Sequence, residues 1–269
     1  METTSGTLLD GRLRYDQPAD GYRTGLEPVL LAACVPARPG QRVLEGGTGA
    51  GAALMCLAAR VPGLRGAGVE LDPGMAALAR RNLAANALDG LEVVTGDVLA
   101  DAPAGPFDHA LANPPWHDPA GTPPALPRRA LAKHAPENAP ENAPENAPLG
   151  SAPRARGGSP GGRHDGPLHA WAAALGARLR RGGTLTLILP AARFAAGVAA
   201  LGAGGCAAAA LVPFWPHRDR PARLVVLRGT RGGRGPCRIS PGLVLHAPGG
   251  GFTPEADAVL RDGAAVAAG

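Results

Sequence analysis

The sequence has few aromatic residues and few cysteines, and each shortage excludes some classes of protein. Aromatic side chains make up 3% of the 269 residues, although hydrophobic residues make up 45%. The core must therefore be built from Ala, Leu and Val. The four cysteines are far apart and show no Cys-X-X-Cys spacing, which argues against a disulfide framework and against a zinc site. We expect a protein of the reducing cytoplasm with no bound metal.

Signals for export and membrane insertion are also lacking. The first six residues have no basic start and no apolar stretch, so they do not resemble a signal peptide. One uncharged run, residues 194–216, is nominally long enough to span a bilayer, but it contains four Gly and two Pro and is otherwise mostly Ala. We interpret it as a helix, a glycine turn and a strand. The formal net charge of +5 is compatible with a polyanionic partner.

A regular alternation of strands and helices begins at residue 41. Before it, residues 10–26 are polar and turn-rich, and Pro28 begins a short buried helix. The apolar pattern then predicts strands at residues 42–44, 64–69, 91–94 and 107–112 and helices at residues 52–60 and 73–86. Such a series is typical of an α/β fold with a doubly wound, Rossmann-like and mostly parallel sheet, whose ligand lies at the carboxyl ends of the strands.

Residues 117–167 interrupt this series. Ala-Pro-Glu-Asn occurs three times in tandem from Ala135 to Asn146, and a Gly/Pro/Arg-rich stretch follows. We predict a disordered, low-complexity insert. It is either a mobile arm beside the active site or filler in a loop that tolerates extra length, because a longer loop costs little additional closure entropy.

The pattern of secondary structure resumes after the insert. Leucines and Trp171 at helical spacing predict a helix over residues 168–181, capped by Gly182-Gly183. The remaining predicted elements are a strand at 184–189, a helix at 191–201, an antiparallel hairpin of 207–212 with 223–227, and a short strand at 243–246. Thr253-Pro254-Glu255 has the residue order expected at the start of a last helix.

Glycines and acids follow the predicted strands where a ligand would bind. The loop after the first strand carries Gly47, Gly49 and Gly51, which permit a tight turn and close approach of the backbone to a ligand. Gly47, Gly49 and Ala52 also satisfy a dinucleotide-binding pattern, so an NAD-binding site stays open. Three acids end successive strands. Glu45 suits a cationic amino group, Glu70 suits ribose hydroxyls, and Asp97 is placed to accept from an adenine amino group.

The fourth strand runs into Asn113-Pro114-Pro115-Trp116. Two consecutive prolines remove two backbone donors and fix φ, so this loop is stiff and cannot become a helix. It can present carbonyl oxygens and an Asn amide to a planar polar ligand, with Trp116 flat against the ligand's face. By itself the pattern is equally compatible with a strand that ends at a proline stop beside a half-buried Trp.

Together these motifs resemble the class I S-adenosylmethionine-dependent methyltransferases. Residues 45–51 are similar to their glycine loop, 68–72 to their ribose-binding strand end and 96–98 to their adenine-binding strand end. Residues 113–116 are similar to the [Asn/Asp/Ser]-Pro-Pro-[aromatic] motif of members that methylate amide or exocyclic amino nitrogen. The resemblance implies S-adenosyl-L-methionine as cofactor and Asn113, Pro114, Pro115 and Trp116 as catalytic residues. It implies these residues at the cofactor: Glu45, Gly47, Gly49, Gly51, Glu70 and Asp97.

Further segments resemble the bacterial tRNA (adenine-N6)-methyltransferases that act beside the valine-tRNA anticodon. Residues 20–33 are similar to the segment before their glycine loop, and residues 243–246 and 252–255 to their C-terminal end. Gly25 is then a further cofactor-binding residue, although Gly25-Leu26-Glu27 stands where that family usually has Gly-Thr-Asp with its hydroxyl. The implied organisation is an N-terminal segment (1–40), a cofactor-binding half (41–116), the insert (117–167) and the C-terminal half of the same domain (168–269).

The resemblance implies adenine N6-methylation, with tRNA as the expected partner. Seven arginines between Arg218 and Arg238 are either a phosphate-contacting flank or a solvated face. One alternative keeps the chemistry and changes the acceptor to a protein glutamine amide, as in release-factor methyltransferases. Two others are a catalytically silent RNA-binding relative and an NAD-dependent oxidoreductase, although Asn-Pro-Pro-Trp offers the latter no proton donor.

Overall fold

Strands and helices alternate from residue 42 onward, as the sequence pattern predicts. In the computed structural model the described residues are 1–20, 24–114 and 166–266, and residues 117–165 of the predicted insert lie outside them. A 3-10 turn, Ala191–Arg193, leads into α5. The elements in chain order are β1 (Thr3–Leu8), β2 (Leu13–Pro18), α1 (Glu27–Cys34), β3 (Arg42–Gly46), α2 (Ala52–Arg60), β4 (Arg65–Glu70), α3 (Pro73–Ala85), β5 (Leu91–Thr95), β6 (Phe107–Ala112), α4 (Gly166–Ala177), β7 (Leu179–Pro190), α5 (Phe194–Ala203), β8 (Cys206–Trp215), β9 (Leu224–Arg231), β10 (Arg238–Ile239), β11 (Leu243–Val244) and α6 (Pro254–Leu260).

The order of the strands shows a doubly wound sheet. Within the described residues, nine strands run in the order β10-β8-β9-β7-β6-β3-β4-β5, with β11 also beside β8. β9 is antiparallel to its neighbours β7 and β8, and the other neighbouring pairs are parallel. The strand order reverses between β3 and β6, and ligands of open α/β sheets bind at such a reversal. The predicted α/β class, mostly parallel with an antiparallel hairpin near the C-terminus, is confirmed.

Helices cover both faces of this sheet. Helices α1, α2, α3 and α6 pack in one hydrophobic cluster, and α4 and α5 in the other. Along β3, Val43 belongs to the first cluster and Leu44 to the second, because successive side chains of a strand point to opposite faces. A strand buried on both faces is apolar throughout, which explains why the central strands were predicted from their short apolar runs.

The N-terminal residues form an antiparallel hairpin, β1–β2, that pairs Leu8 with Leu13. The prediction that residues 10–26 are only polar and turn-rich is therefore wrong for β2. Leu13 and Tyr15 of this strand are buried in the core, while Arg14 between them is exposed. One edge of β2 pairs with β1, and the other edge is paired by side chains elsewhere in the chain, so the few apolar residues of β2 did not suffice for a prediction.

Two amides of α3 supply that pairing. Asn82 accepts from the Asp16 backbone N–H at 3.0 Å and donates to the Asp16 carbonyl at 2.9 Å. Asn86 binds the backbone of Arg14 in the same way, at 2.9 and 2.8 Å. The Asn82 amide also donates to the Ala50 carbonyl at 2.9 Å. Asn82 therefore ties the hairpin to the loop after β3.

The prediction of one helix from residue 168 to 181 is wrong at its end. Helix α4 stops at Ala177, and β7 begins at Leu179. Phe107 pairs with Leu179 but His109 pairs with Thr184, so the extra residues of β7 form a bulge. Gly182, predicted as part of a helix cap, lies in this bulge with φ +78°. Leucine spacing alone could not distinguish a continuing helix from a short break followed by a strand.

The uncharged run at residues 194–216 is built as predicted. It forms α5, a turn at Gly204-Gly205 and β8. Among the helices in the described part of the chain, none is long and apolar enough to cross a membrane.

Candidate active site

The carboxyl ends of β3, β4, β5 and β6 meet at one edge of the sheet. Gly46 at the end of β3 pairs with Val69 of β4 on one side and with Ala112 of β6 on the other. Glu70, the next residue of β4, pairs with Thr95 of β5. Neighbouring strands lie about 4.8 Å apart, so the residues that follow these strand ends form one contiguous surface.

The loop after β3 turns sharply at its glycines. Gly47, Gly49 and Gly51 have φ of +65°, +56° and +92°, a region that strongly favours glycine. A Cβ at Gly49 would have only the Met75 Cε within 4 Å, at 3.9 Å, so this part of the loop borders open space. Gly51 caps α2 without a side-chain hydrogen bond. The backbone N–H of Leu54 binds Glu45, and those of Ala52 and Ala53 at the helix start can face a ligand.

Glu45 lies beneath this loop rather than on its surface. Its side chain is 4% exposed, and it accepts a hydrogen bond from the Thr48 hydroxyl at 2.5 Å. Burial, only partly offset by hydrogen bonds, raises the pKa of Glu45 to about 8. Thr48 also donates its backbone N–H to Val69 at 3.0 Å. Glu45 and Thr48 thus hold the loop to the sheet, and the expected contact of Glu45 with a cofactor amino group stays a prediction.

The two other acids are closer to solvent. Glu70 is half-buried, and its carboxylate accepts the backbone N–H of Gly49 at 2.8 Å and that of Asp72 at 2.9 Å. Asp97 is half-buried, and its Oδ1 accepts from Leu99 N–H at 2.9 Å. A carboxylate offers about four acceptor positions, so both acids retain acceptors for ribose hydroxyls and an adenine amino group.

Asn113 and Pro114 follow directly on β6. The Asn113 side chain is half-buried and has no hydrogen-bond partner among the described residues. Pro114 is buried. Since Ala112 pairs with Gly46, Asn113 stands one strand away from the glycine loop. Pro115 and Trp116, the other predicted catalytic residues, lie outside the described residues, and their roles stay predictions.

Gly25 belongs to a segment that reaches this region through Tyr15. The Thr24 hydroxyl shares a hydrogen bond with the Tyr15 hydroxyl at 2.7 Å. Burial is the main reason why the pKa of Tyr15 rises to about 12, and the nearby Glu45 charge adds to it. Although Gly25-Leu26-Glu27 lacks the usual hydroxyl, Thr24 supplies one directly before Gly25, where it binds Tyr15. Residues 21–23 of the same segment lie outside the described part of the chain.

Sequence reasoning missed three residues that shape the site. Thr48 and Asn82 hold the glycine loop through the bonds given above. Trp171 of α4 was predicted only as a core position, but its half-buried ring lies against Gly47, where a Cβ would approach the ring to 2.8 Å. The sequence could have indicated a role for Trp171, because aromatic residues are rare in this chain and each is therefore a candidate for a ligand contact.

The strand-end residues suit a nucleoside-containing cofactor with an amino-acid part. The glycine loop offers backbone donors and open space, Glu70 and Asp97 offer acceptors for hydroxyl and amino groups, and the buried Glu45 could neutralise a cationic amino group. In the described ranges, no three His, Cys, Asp or Glu side chains are grouped so that they could hold a metal ion.

Comparison with known proteins bears on this assignment. Residues 28–138 match the family model of the "Methyltransferase small domain". A tRNA1(Val) (adenine(37)-N6)-methyltransferase of Aeromonas hydrophila is 36% identical over 124 residues, which are 46% of this chain and 52% of the relative. A release factor glutamine methyltransferase of Rhodospirillum rubrum is 40% identical over 77 residues, 29% of this chain and 24% of the relative. The chain spans about half, or less, of the length of these curated relatives.

Solved structures show the same fold. A "predicted O-methyltransferase" of Agrobacterium tumefaciens superposes with a TM-score of 0.66 at 24% identity, covering 89% of this chain and 98% of that one. A methyltransferase from Pyrococcus furiosus has a TM-score of 0.53 at 17% identity, covering 82% and 90% of the two chains. The chain therefore has the Rossmann-like fold of these solved methyltransferases, residues 28–138 match the methyltransferase small domain, and the similarity to the bacterial tRNA (adenine-N6)-methyltransferases is confirmed.

Proposed function

We propose that this protein is an S-adenosylmethionine-dependent N-methyltransferase of the cytoplasm that methylates the exocyclic amino group of adenine in tRNA. The observation that carries the proposal is the position of Asn113. Its half-buried amide has no partner among the described residues and lies one strand from the glycine loop. The site thus has a cofactor half at β3–β5 and an acceptor half at β6. Adenine as the acceptor is supported by relatives named tRNA1(Val) (adenine(37)-N6)-methyltransferase, which this chain matches over about half of their length.

When bound, S-adenosylmethionine supplies a methyl group on a positively charged sulfur. Asn113 Oδ1 and the Pro114 carbonyl oxygen accept the two hydrogens of the adenine amino group. These bonds draw the nitrogen lone pair out of conjugation with the ring and orient it. The nitrogen becomes cationic as it gains the methyl group and then releases a proton to water, so no strong base is required. Positioning by the rigid loop supplies most of the acceleration.

Glu70 and Asp97 set the position of the adenosine part of the cofactor in this scheme. Glu70 also accepts the backbone N–H of Gly49. The carboxylate that would bind the ribose is therefore joined directly to the glycine loop that would surround the amino-acid part of the cofactor. If the target base is stacked in its RNA, it must be turned out of the stack to reach Asn113. Trp116 would then lie against the base.

A protein glutamine amide is the second candidate acceptor. The release-factor methyltransferases that match this chain at 40% identity support it, and an amide nitrogen requires the same two acceptors as an adenine amino group. An experiment with labelled S-adenosylmethionine decides between them, with bulk tRNA and a glutamine-containing peptide offered separately. Nucleoside mass spectrometry of the tRNA should show N6-methyladenosine. Transfer to the peptide alone would replace the proposed acceptor by a protein.

Variants of Asn113 test the mechanism itself. Asn113→Ala should abolish transfer, while calorimetry should find the affinity for S-adenosylmethionine within about threefold of the wild type, because this residue contacts only the acceptor. Asn113→Asp keeps an acceptor oxygen and should keep part of the activity. Full activity of Asn113→Ala would contradict the mechanism, and binding of NAD in place of S-adenosylmethionine would contradict the whole assignment.

A further inference from the structure

The seven arginines between Arg218 and Arg238 do not form one surface. Strand β9 is antiparallel to β7 and β8, so its two ends lie at opposite edges of the sheet. Arg218, Arg220 and Arg223 precede β9, where β7 and β8 end. Arg231 and Arg234 lie at or just beyond its other end, while Arg238 begins β10 and pairs with Ala210 in the middle of β8. A single phosphate-contacting flank over this whole range is therefore excluded by the direction of one strand.

Two of the seven arginines are occupied within the fold. Arg228 donates to the Cys34 carbonyl at 3.1 Å, and burial lowers its pKa. Arg231 donates to the Gly204 carbonyl at 2.7 Å. These two guanidinium groups bind carbonyl oxygens at the ends of α1 and α5. They therefore contact the protein itself rather than an external partner.

The residues 216–223, here called the arginine loop, lie at the edge that carries the candidate active site. Phe214 and Pro190 both pair with Leu224, and Leu187 of β7 pairs with Ala112 of β6. The loop thus stands two to three strands from β6, roughly 10–14 Å at the usual strand spacing. Arg218, Arg220 and Arg223 are exposed, and in the described ranges none of them forms an ion pair. Asp219 is the one acid of the loop.

A row of rings adjoins the arginine loop. His217 lies 5.4 Å from His246 between ring centroids, and His246 stacks on Phe252 at 5.1 Å with 22° between the planes. The His246 backbone N–H donates to Pro216 at 3.0 Å, which fixes this ring stack to the loop. His217 is exposed, so one face of the row ends in solvent beside Arg218.

We propose that the arginine loop and the ring stack of His217, His246 and Phe252 form a platform for the unpaired nucleotides that flank the target adenine. Guanidinium groups attract the phosphates of a single strand, and rings of His and Phe stack with its bases. A surface with arginines alone would bind any polyanion, whereas a surface with both arginines and stacking rings is suited to single-stranded RNA. This inference rests on the proposed function, since it takes the acceptor to be RNA.

Two triple variants of equal charge test the platform. Arg218→Ala/Arg220→Ala/Arg223→Ala removes three charges at the catalytic edge. Arg65→Ala/Arg181→Ala/Arg234→Ala removes three exposed charges from the opposite edge, where β4 and β7 begin and β9 ends. Binding of bulk tRNA and of single-stranded oligoadenylate is measured over a range of salt concentrations. The first variant should bind about tenfold more weakly or worse, and the slope of log affinity against log salt should fall by about 2, at ~0.7 per lost phosphate contact. The second should bind within about twofold of the wild type.

Substitution of His217 separates stacking from charge. His217→Ala should weaken binding about tenfold with the salt slope unchanged, and His217→Phe should restore it. Circular dichroism and affinity for S-adenosylmethionine should match the wild type in every variant, which shows that the fold is intact. Equal losses of RNA affinity in the two triple variants, or an unchanged RNA affinity in the first, would contradict the platform. Neither result would contradict the proposed methylation of RNA. If the wild type methylates a glutamine peptide and neither binds nor methylates RNA, both the platform and the proposed function are wrong.

Discussion

The carboxylate of Glu70 accepts the backbone N–H of Gly49 at 2.8 Å. This bond joins the end of β4 to the glycine loop that follows β3. The same carboxylate accepts from Asp72 N–H at 2.9 Å, where α3 is about to begin. One acid therefore joins the end of β4, the glycine loop and the start of α3, and ribose binding by its remaining acceptor positions stays a prediction.

Replacement of Glu70 should affect folding and cofactor binding together. Glu70→Ala removes an ionised acceptor of two hydrogen bonds and should lower the free energy of unfolding by about 1–3 kcal/mol. It should also weaken S-adenosylmethionine binding at least tenfold. Glu70→Gln keeps one acceptor oxygen and should fall between Glu70→Ala and the wild type. Chemical denaturation and calorimetry measure the two effects, with Glu92→Ala, an exposed acid on β5, as the control. Unchanged cofactor affinity would remove Glu70 from the binding site.

An alanine at Gly49 should separate backbone strain from function. Gly49 has φ +56° and Gly11 in the hairpin turn has φ +88°, and a Cβ at either position would meet at most one atom within 4 Å. Both substitutions should therefore cost about 1–2 kcal/mol, the penalty of a left-handed conformation with a Cβ. Only Gly49→Ala should also reduce the affinity for S-adenosylmethionine, because only Gly49 borders the site. Equal affinities of the two variants in calorimetry would contradict the assignment of the glycine loop.

The stability of the ligand-free protein should fall as the pH rises from 6.5 to 8. Burial raises the pKa of Glu45 from 4.5 to about 8, so the folded state holds a proton that the unfolded state has already lost, and stability declines across this interval. Burial lowers the pKa of His109 from 6.5 to about 4, so its opposite effect falls mostly below pH 6.5 and ends as the unfolded state loses its proton above that pH. Because His109 is the same in the wild type and in Glu45→Gln, the difference between the two proteins isolates Glu45. Urea denaturation at several pH values should show the decline in the wild type and its absence in Glu45→Gln. If the free energy of unfolding of Glu45→Gln declined with pH as steeply as that of the wild type, the raised pKa would not belong to Glu45.

The two amides of α3 should differ in their contribution to stability. Asn82 is 2% exposed and makes three hydrogen bonds to the backbone of Asp16 and Ala50. Asn82→Ala leaves buried partners unsatisfied and should cost about 3 kcal/mol. Asn86 also makes three hydrogen bonds, two with the Arg14 backbone and one to the Asn82 carbonyl at 2.8 Å. Water can replace the exposed pair with Arg14, so Asn86→Ala should cost about 1 kcal/mol. Thermal unfolding of the two variants checks this, and equal losses would show that burial is not the deciding factor.

Much of the fold and of the candidate site could be predicted because the pattern is local. Helix α2 and strand β6 have the predicted bounds, since each is a short apolar segment between strong turn residues. Glu70, Asp97 and Asn113 were placed together correctly because parallel strands end at the same edge of a sheet. By contrast, strand β2 was missed because the amides that pair with it come from α3, more than sixty positions away in the sequence.

The amino-acid sequence by itself determined the class of sheet and the position of the glycine loop and of Asn113-Pro114 at strand ends, since these depend on residue type and on spacing over a few positions. Only the tertiary structure decided that Glu45 is buried beneath the loop, where burial in the surrounding core raises its pKa although the Thr48 hydroxyl binds it. Only the structure separated the arginines, because the direction of β9 places Arg218 at the edge of the candidate active site and Arg231 at the opposite edge. Strand direction and burial depend on contacts between distant segments, which no local pattern of residues contains.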